Sequence, residues 1–185
     1  MAFDDKYTYP NSGGVLRNRL DIRDPVTLDR ALNDHVSVAW AALRREPPPA
    51  APGFDHLQTI HRRLFGALLP WAGTIRDVDV QAVGTGIAYC RPDFIEEQVQ
   101  VLFGKLAAEN YLADAPSPDH FALALAARWA DLSAIHPFRD GNTRSQVVYV
   151  TSLALRAGLA IEWRSMDVTQ LKALRIKAIA GTHEP

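Results

Sequence analysis

Apolar residues recur at helical spacing along almost the whole chain, and only between Thr74 and Tyr89 does the period contract to two. That contrast constrains the fold more than any other feature. Stripes repeating near 3.6 residues are buried by packing helix on helix, and one short two-residue pattern leaves room for a single hairpin. Asp24-Pro25 reads as an N-cap followed by proline in the first turn. It opens a helix to about Arg45 with Val26, Ala31, Leu32, Val36, Ala39 and Leu43 on its apolar side. The tract from Pro47 to Gly53 cannot continue it. A second helix from about Phe54 to Leu69 aligns Leu57, Ile60, Leu64 and Leu68 before Pro70 ends it. Further helices are predicted over about Pro92 to Asn110, from Ser117-Pro118-Asp119 until Pro137 interrupts the pattern, from near Asn142 to Ala157 and over about Asp167 to Ala180. Ser117 is the expected cap of the fourth, with Phe121, Leu125, Trp129 and Leu132 buried, and Gly158 and Gly181 close the last two. In the exceptional stretch, Val78, Val80 and Ala82 alternate with Asp77, Asp79 and Gln81. Gly84-Thr85-Gly86 supplies a turn and Ile87-Ala88-Tyr89 a return strand. A lone hairpin is marginal in water, so this one needs helices beneath it or a partner strand beside it.

The 185 residues are 48% hydrophobic and 22% charged, which excludes disorder and collagen-like order and argues for one domain over residues 1–185. Lys and Arg total 20 against 21 Asp and Glu, so the basic surplus of a nucleic-acid binder is missing and no nucleic-acid partner is expected. The single cysteine, Cys90, requires no oxidising compartment. The first residues lack the pattern of a secretory signal, and the longest near-apolar run, Val147 to Leu155, is far short of a membrane span. The expectation is a soluble cytoplasmic protein.

Chemistry concentrates in Ser133-Ala134-Ile135-His136-Pro137-Phe138-Arg139-Asp140-Gly141-Asn142-Thr143-Arg144. A histidine ends one helix, an acid follows four residues later, and Gly-Asn-Thr-Arg opens the next helix. Free N–H groups at a helix start beside an arginine form an anion site. A carboxylate next to a phosphate is where Mg²⁺ bridges protein and nucleotide. A nearby imidazole can take the proton of a hydroxyl that attacks phosphorus. Taken singly, each residue has an ordinary structural reading: His136 as a helix cap, Asp140-Gly141-Asn142 as a turn. Their convergence on one loop is what favours phosphoryl or nucleotidyl transfer.

The run from His136 to Arg144 resembles the signature of the Fic family, HPFx(D/E)GNGRxxR. The likeness extends to Ile60-His61-Arg62-Arg63-Leu64-Phe65 with Trp71-Ala72-Gly73-Thr74-Ile75-Arg76, and to Tyr9-Pro10 through Val15-Leu16-Arg17-Asn18-Arg19-Leu20. It implies a mainly α, Fic-type helical bundle with one β-hairpin flap. It also implies transfer of AMP from ATP to a Ser, Thr or Tyr hydroxyl of a target protein. By the same resemblance His136 is the general base, Phe138 anchors the loop, and Asp140 holds Mg²⁺. Gly141, Asn142, Thr143 and Arg144 cradle the phosphates, and the Thr74–Tyr89 hairpin is the flap on which the target docks. The alternatives are a degenerate Fic fold that binds nucleotide or a partner without turnover, and a Doc-like transferase with other donor chemistry.

Two positions depart from the signature. Thr143 stands where the family has glycine: a threonine there is strained if the site needs positive φ, or crowds the phosphates if the position is helical. Val147 stands where the family has a second arginine, which removes a charge-assisted phosphate contact. The inhibitory motif (S/T)xxxE(G/N) is also absent. Glu109-Asn110 is the one Glu followed by Gly or Asn, and Lys105 lies four residues before Glu109. The resemblance therefore implies restraint, if any, by a separate antitoxin-like partner, although the inhibitory glutamate pairs with the arginine that Val147 replaces.

Remaining candidates read as structure. His56 and His61 lie about 140° apart around a helix, unlike paired zinc ligands, and His61 is expected to be buried or half-buried. Cys90 reads as a packing residue, the four tryptophans as core or staple residues, and Lys172, Arg175 and Lys177 most simply as a solvated helix face, with contact to a phosphate or a partner as the alternative.

Overall fold

The computed structural model describes residues 5–181 with the exception of Val83. Six α-helices organise it: α1 Pro25–Leu43, α2 Phe54–Phe65, α3 Pro92–Ala108, α4 Pro118–Ile135, α5 Asn142–Arg156 and α6 Val168–Ile179. The predicted caps form. Asp24 accepts from the Thr27 N–H and Ser117 from the His120 N–H; Asp167, expected as the first residue of the last helix, is its cap as well and accepts from the N–H groups of Thr169 and Gln170. Each satisfies donors that the first helical turn leaves without partners.

Helix α2 is the central element. Leu57, Ile60, His61, Leu64 and Phe65 are all 0–1% exposed, with α1 and α5 packed against it. Helix α4 in turn touches α3, α5 and α6. The four tryptophans lie half-buried against this core, as expected, and Trp129 meets Trp163 edge to face at 5.9 Å.

Three expectations need correction. Helix α2 stops at Phe65, four residues early, where the Leu68 N–H bonds three residues back to the Phe65 carbonyl, a tighter turn than the α pattern. Val26 is 67% exposed, and Leu28 takes its place in the buried stripe with Leu32 and Val36. Between Thr74 and Tyr89 the two-residue pattern yields no strand among the described residues. A single antiparallel bridge, Gln81 to Ala88, is flanked by bonds from Ala82 N–H to Ile87 O (2.8 Å) and Tyr89 N–H to Val80 O (3.1 Å). Alternation alone does not make a ladder. Arg76 draws the two legs together below this bridge by binding the carbonyls of Val78 and Cys90, so side-chain bonds replace the missing rungs.

The amino-terminal segment, which carried no helical signal, folds back on itself at the Thr8–Leu16 bridge. It straps the centre of the molecule through Asp5, which accepts from Arg139 Nε at 2.7 Å, and Tyr7, which donates to Asp77 at 2.9 Å. Among the described residues no helix is long and apolar enough to cross a membrane.

Candidate active site

Helix α4 ends in an uncommon way. His136 is its C-cap, in the left-handed conformation at φ 49° and ψ 62°, with its N–H still bonded to Leu132 O. An L-residue adopts that geometry at a cost, and surrounding contacts must hold it there. Arg76, only 1% exposed, supplies them. Its Nε donates to His136 O (2.8 Å), its Nη2 to Ile135 O and Cys90 O, and its backbone N–H to Pro137 O (2.9 Å). The last carbonyls of α4 carry the negative end of the helix dipole, so a guanidinium is a fitting partner.

The loop then turns into α5 around two fully buried residues. Phe138 is 0% exposed and lies 4.0 Å, centroid to centroid, from His61. Asn142, 2% exposed, accepts from the Phe138 N–H (2.9 Å) and donates to Phe138 O (2.7 Å). Its side chain is therefore committed to the shape of the loop. Gly141 lies between them at φ 78°. A Cβ there would come within 2.5 Å of the buried Phe65 ring, so alanine would have to displace the loop. Gly141→Ala is expected to cost roughly 1–3 kcal/mol through backbone strain and overpacking. Thermal unfolding measures that loss.

His61 locks the other side. Its Nδ1 accepts from the Gly73 N–H at 2.8 Å, which leaves the proton on Nε2, donated to the Asp140 carbonyl at 2.9 Å. Burial holds its pKa down at about 4, and the fixed neutral tautomer ties α2 to the turn at Gly73 and to the loop. The sequence placed His61 correctly as a buried helix residue but did not reveal this span.

Helix α5 has no acidic residue in its first turn, and its first intrahelical bond is Ser145 N–H to Gly141 O at 3.0 Å. The N–H groups of Asn142, Thr143 and Arg144 precede it and have no helical acceptors. Thr143 is in this helix and takes no part in the positive-φ positions, so the strained reading of that residue does not hold. Asp140 Oδ2 pairs with Arg144 Nη2 at 3.1 Å, its side chain being 38% exposed. Arg144 also reaches Asn33 (3.3 Å) and covers the Phe65 ring.

The His136 ring stacks on Tyr89 at 3.6 Å and 12°, so the bridged segment, Thr74 to Tyr89, supplies one wall of the site. Its Nδ1 is buried without a hydrogen-bond partner among the described residues. Burial pushes the His136 pKa down to about 3, helped by the positive charges of Arg175 and Arg76 and opposed by the Ser133 backbone. A cleft of about 490 Å³ opens beside Tyr89, Ala134 and Ile135 and reaches Phe94 and Lys105 of α3. Cys90 borders it with its thiol pKa raised by burial, which suits packing and not nucleophilic attack.

Of the three residues read as a solvated face of α6, Lys177 is exposed, the side chain of Lys172 lies outside the described residues, and Arg175 departs from the reading. It is half-buried and donates to Ser133 Oγ (3.2 Å), Thr143 Oγ1 (2.9 Å) and Gln146 Oε1 (3.1 Å). Sequence reasoning also passed over Arg76 as a functional support. Neither arginine carries a local signal, because each acts on residues more than 25 positions away or on backbone carbonyls.

Residues 53–154 match the Fic/DOC family. The chain is 32% identical over 186 residues to the probable protein adenylyltransferase y4lH of Sinorhizobium fredii, covering 100% of this chain and 93% of that protein. It is also 32% identical over 163 residues to the probable protein adenylyltransferase Fic of Escherichia coli, covering 88% and 78%. Among solved structures, the N-terminal Fic domain of a Bartonella effector protein (Bep) from Bartonella sp. AR 15-3 superposes with a TM-score of 0.91 at 27% identity, over 96% of this chain and 84% of that one. BepC from Bartonella tribocorum, solved with bound AMPPNP, superposes with a TM-score of 0.86 at 26% identity, over 94% and 88%. A loop built from His136 to Arg144 on this helical frame, with relatives matching it from end to end, makes the chain a member of the Fic/DOC family.

Proposed function

We propose that the protein is an adenylyltransferase that moves AMP from ATP to a hydroxyl side chain of a target protein. The observation that carries this reading is the juxtaposition, on one buried loop, of a neutral imidazole at the end of α4 and unpaired N–H donors at the start of α5. The adenylyltransferase names of full-length relatives support it, as does AMPPNP in the BepC structure.

The triphosphate lies at the α5 N-terminus, held by the N–H groups of Asn142, Thr143 and Arg144 and by the Arg144 guanidinium, while the Gly141 turn lets the backbone approach. The target hydroxyl attacks the α-phosphorus and the bond to the bridging oxygen breaks. Pyrophosphate leaves, AMP remains esterified to the target, and the hydroxyl proton passes to His136. Burial keeps the imidazole unprotonated, so its acceptor nitrogen is open, and it also weakens the ring as a base, which the negative charge of a bound triphosphate would offset. Asp140 is the residue that would hold Mg²⁺. Among the described residues no cluster of three or more acidic, histidine or cysteine side chains could cage a metal. A single half-exposed carboxylate with Oδ1 clear of the Arg144 pair nonetheless fits an ion that takes one protein ligand plus phosphates and water. When bound, Mg²⁺ neutralises charge on the phosphates.

The bridged segment, Thr74 to Tyr89, serves as the flap. Its sparse internal pairing leaves backbone donors and acceptors for an extended piece of the target, which brings the hydroxyl up to His136 past Tyr89. A separate antitoxin-like inhibitor would supply restraint in the manner the family resemblance implies, although Val147 stands where the arginine that pairs with an inhibitory glutamate would be.

The test is incubation with Mg²⁺, a lysate and ATP labelled at either the α- or the γ-phosphate. Protein labelling from α-labelled ATP alone is expected. Labelling from γ-labelled ATP would indicate a kinase-like reaction, and ATP binding with no labelling would indicate a fold that binds without turnover. The pH profile gives a further expectation. The unprotonated imidazole is the active form and its pKa is depressed by burial, Arg175 and Arg76, with Tyr89 stacked on the ring. The acid limb of kcat/KM should therefore lie well below the usual histidine value near 6.5. A limb at 6.5 would contradict the enclosed site.

A further inference from the structure

Four arginines surround the loop, and three are already engaged. Arg139 pairs with Asp5 at 2.7 Å and Arg144 with Asp140 at 3.1 Å. Arg76 is buried and spends its guanidinium on the carbonyls of Ile135, His136, Val78 and Cys90. Arg175 differs. Its three bonds go to neutral oxygens of Ser133, Thr143 and Gln146, its Cζ lies 5.6 Å above the Trp129 ring, and no carboxylate among the described residues pairs with it. A guanidinium has five N–H donors, so one on each Nη nitrogen is still unspent. Burial works against its charge, and a cation withdrawn from water without a counter-charge is costly unless an anion completes it.

Its position says which anion. Thr143, which anchors Nη1, is the second residue of α5 and belongs to the turn with free N–H groups. Residues 143 and 147 are stacked one turn apart on a helix, so Arg175 stands on the side from which Val147 projects. That side of α5 has no cation of its own. Its Nε is bonded to Ser133, three residues before His136 on α4, which puts the guanidinium on the His136 side of the loop. Thr143 then has a function that glycine could not perform, since its hydroxyl fixes the arginine.

We infer that Arg175 is a nucleotide-binding residue, which brings from α6 a forked cation to the β- and γ-phosphates of ATP beside the first turn of α5. The assignment rests on the adenylyltransferase reading above and adds to it a residue outside the loop.

Calorimetric titration of the full chain with AMP, ADP and ATP in the presence of Mg²⁺ tests it. Losing charge-assisted bonds of this kind weakens binding by roughly 10- to 100-fold. Arg175→Ala is expected to lose that much affinity for ATP and ADP and almost none for AMP, which has only the α-phosphate. Val147→Arg in the Arg175→Ala background should restore part of it by returning a cation to the same side of α5. Should Arg175→Ala melt below the assay temperature, Arg175→Gln, which keeps polar contacts without charge, is expected to show the same selective loss. Equal weakening of all three nucleotides, or none, overturns the assignment and leaves the adenylyltransferase reading intact. Wild-type protein that binds none of the three overturns both.

Discussion

Replacing His136 by alanine is expected to reduce label transfer from α-labelled ATP by roughly 100- to 10,000-fold, the range a positioned general base supplies. ATP affinity should barely change, because the phosphate donors reside on α5 and the His136 carbonyl that Arg76 binds belongs to the backbone. One complication is physical. Residue 136 sits at φ 49°, which alanine tolerates poorly and asparagine tolerates better. His136→Asn therefore separates lost chemistry from lost geometry: its melting temperature should stay nearer that of the wild type while labelling falls as far as in His136→Ala. Transfer that survives both substitutions would remove His136 from the reaction.

The second large effect is expected at Arg76. Arg76→Ala leaves the carbonyls of Ile135, His136, Val78 and Cys90 without their shared donor and empties the space of a side chain that is 1% exposed. Breaking a buried charged network of this kind costs roughly 3–5 kcal/mol. For a domain of this size that corresponds to a fall in melting temperature on the order of 10 °C. Labelling should also drop in whatever protein remains folded, since the same guanidinium holds the left-handed turn at His136 and both legs of the flap. Arg76→Lys should recover little of either, because an ammonium on a flexible stem cannot address four carbonyls from one plane. A melting temperature within about 2–3 °C of wild type, the shift expected for only about 1 kcal/mol, would show that the carbonyls find other donors.

The helices were readable because their signals are local. Asp24-Pro25 and Ser117-Pro118 carry cap and first-turn proline side by side, and Leu57, Ile60 and Leu64 repeat on one face. The structure agrees at each of these points. The stretch around Val78 and Val80 misled because alternation describes which side chains point where, and not whether a second strand lies close enough to pair. The hub formed by Gln146 was invisible for a related reason. It gathers Trp129, Ser133 and Arg175, and nothing in a helical pattern marks a buried glutamine as the meeting point of three chain-distant partners.

The order of residues alone therefore determined the helical elements, their caps and the His136–Arg144 loop, since periodicity, capping and a contiguous motif all act within a few positions. Tertiary structure decided how that loop is armed. Arg76 forces the left-handed turn at His136, His61 spans from Gly73 to Asp140, and Arg175 comes from α6 to Thr143. These contacts join residues from 12 to 79 positions apart. They exist because burial leaves charges and carbonyls only one another to bond with, and packing selects which of them meet.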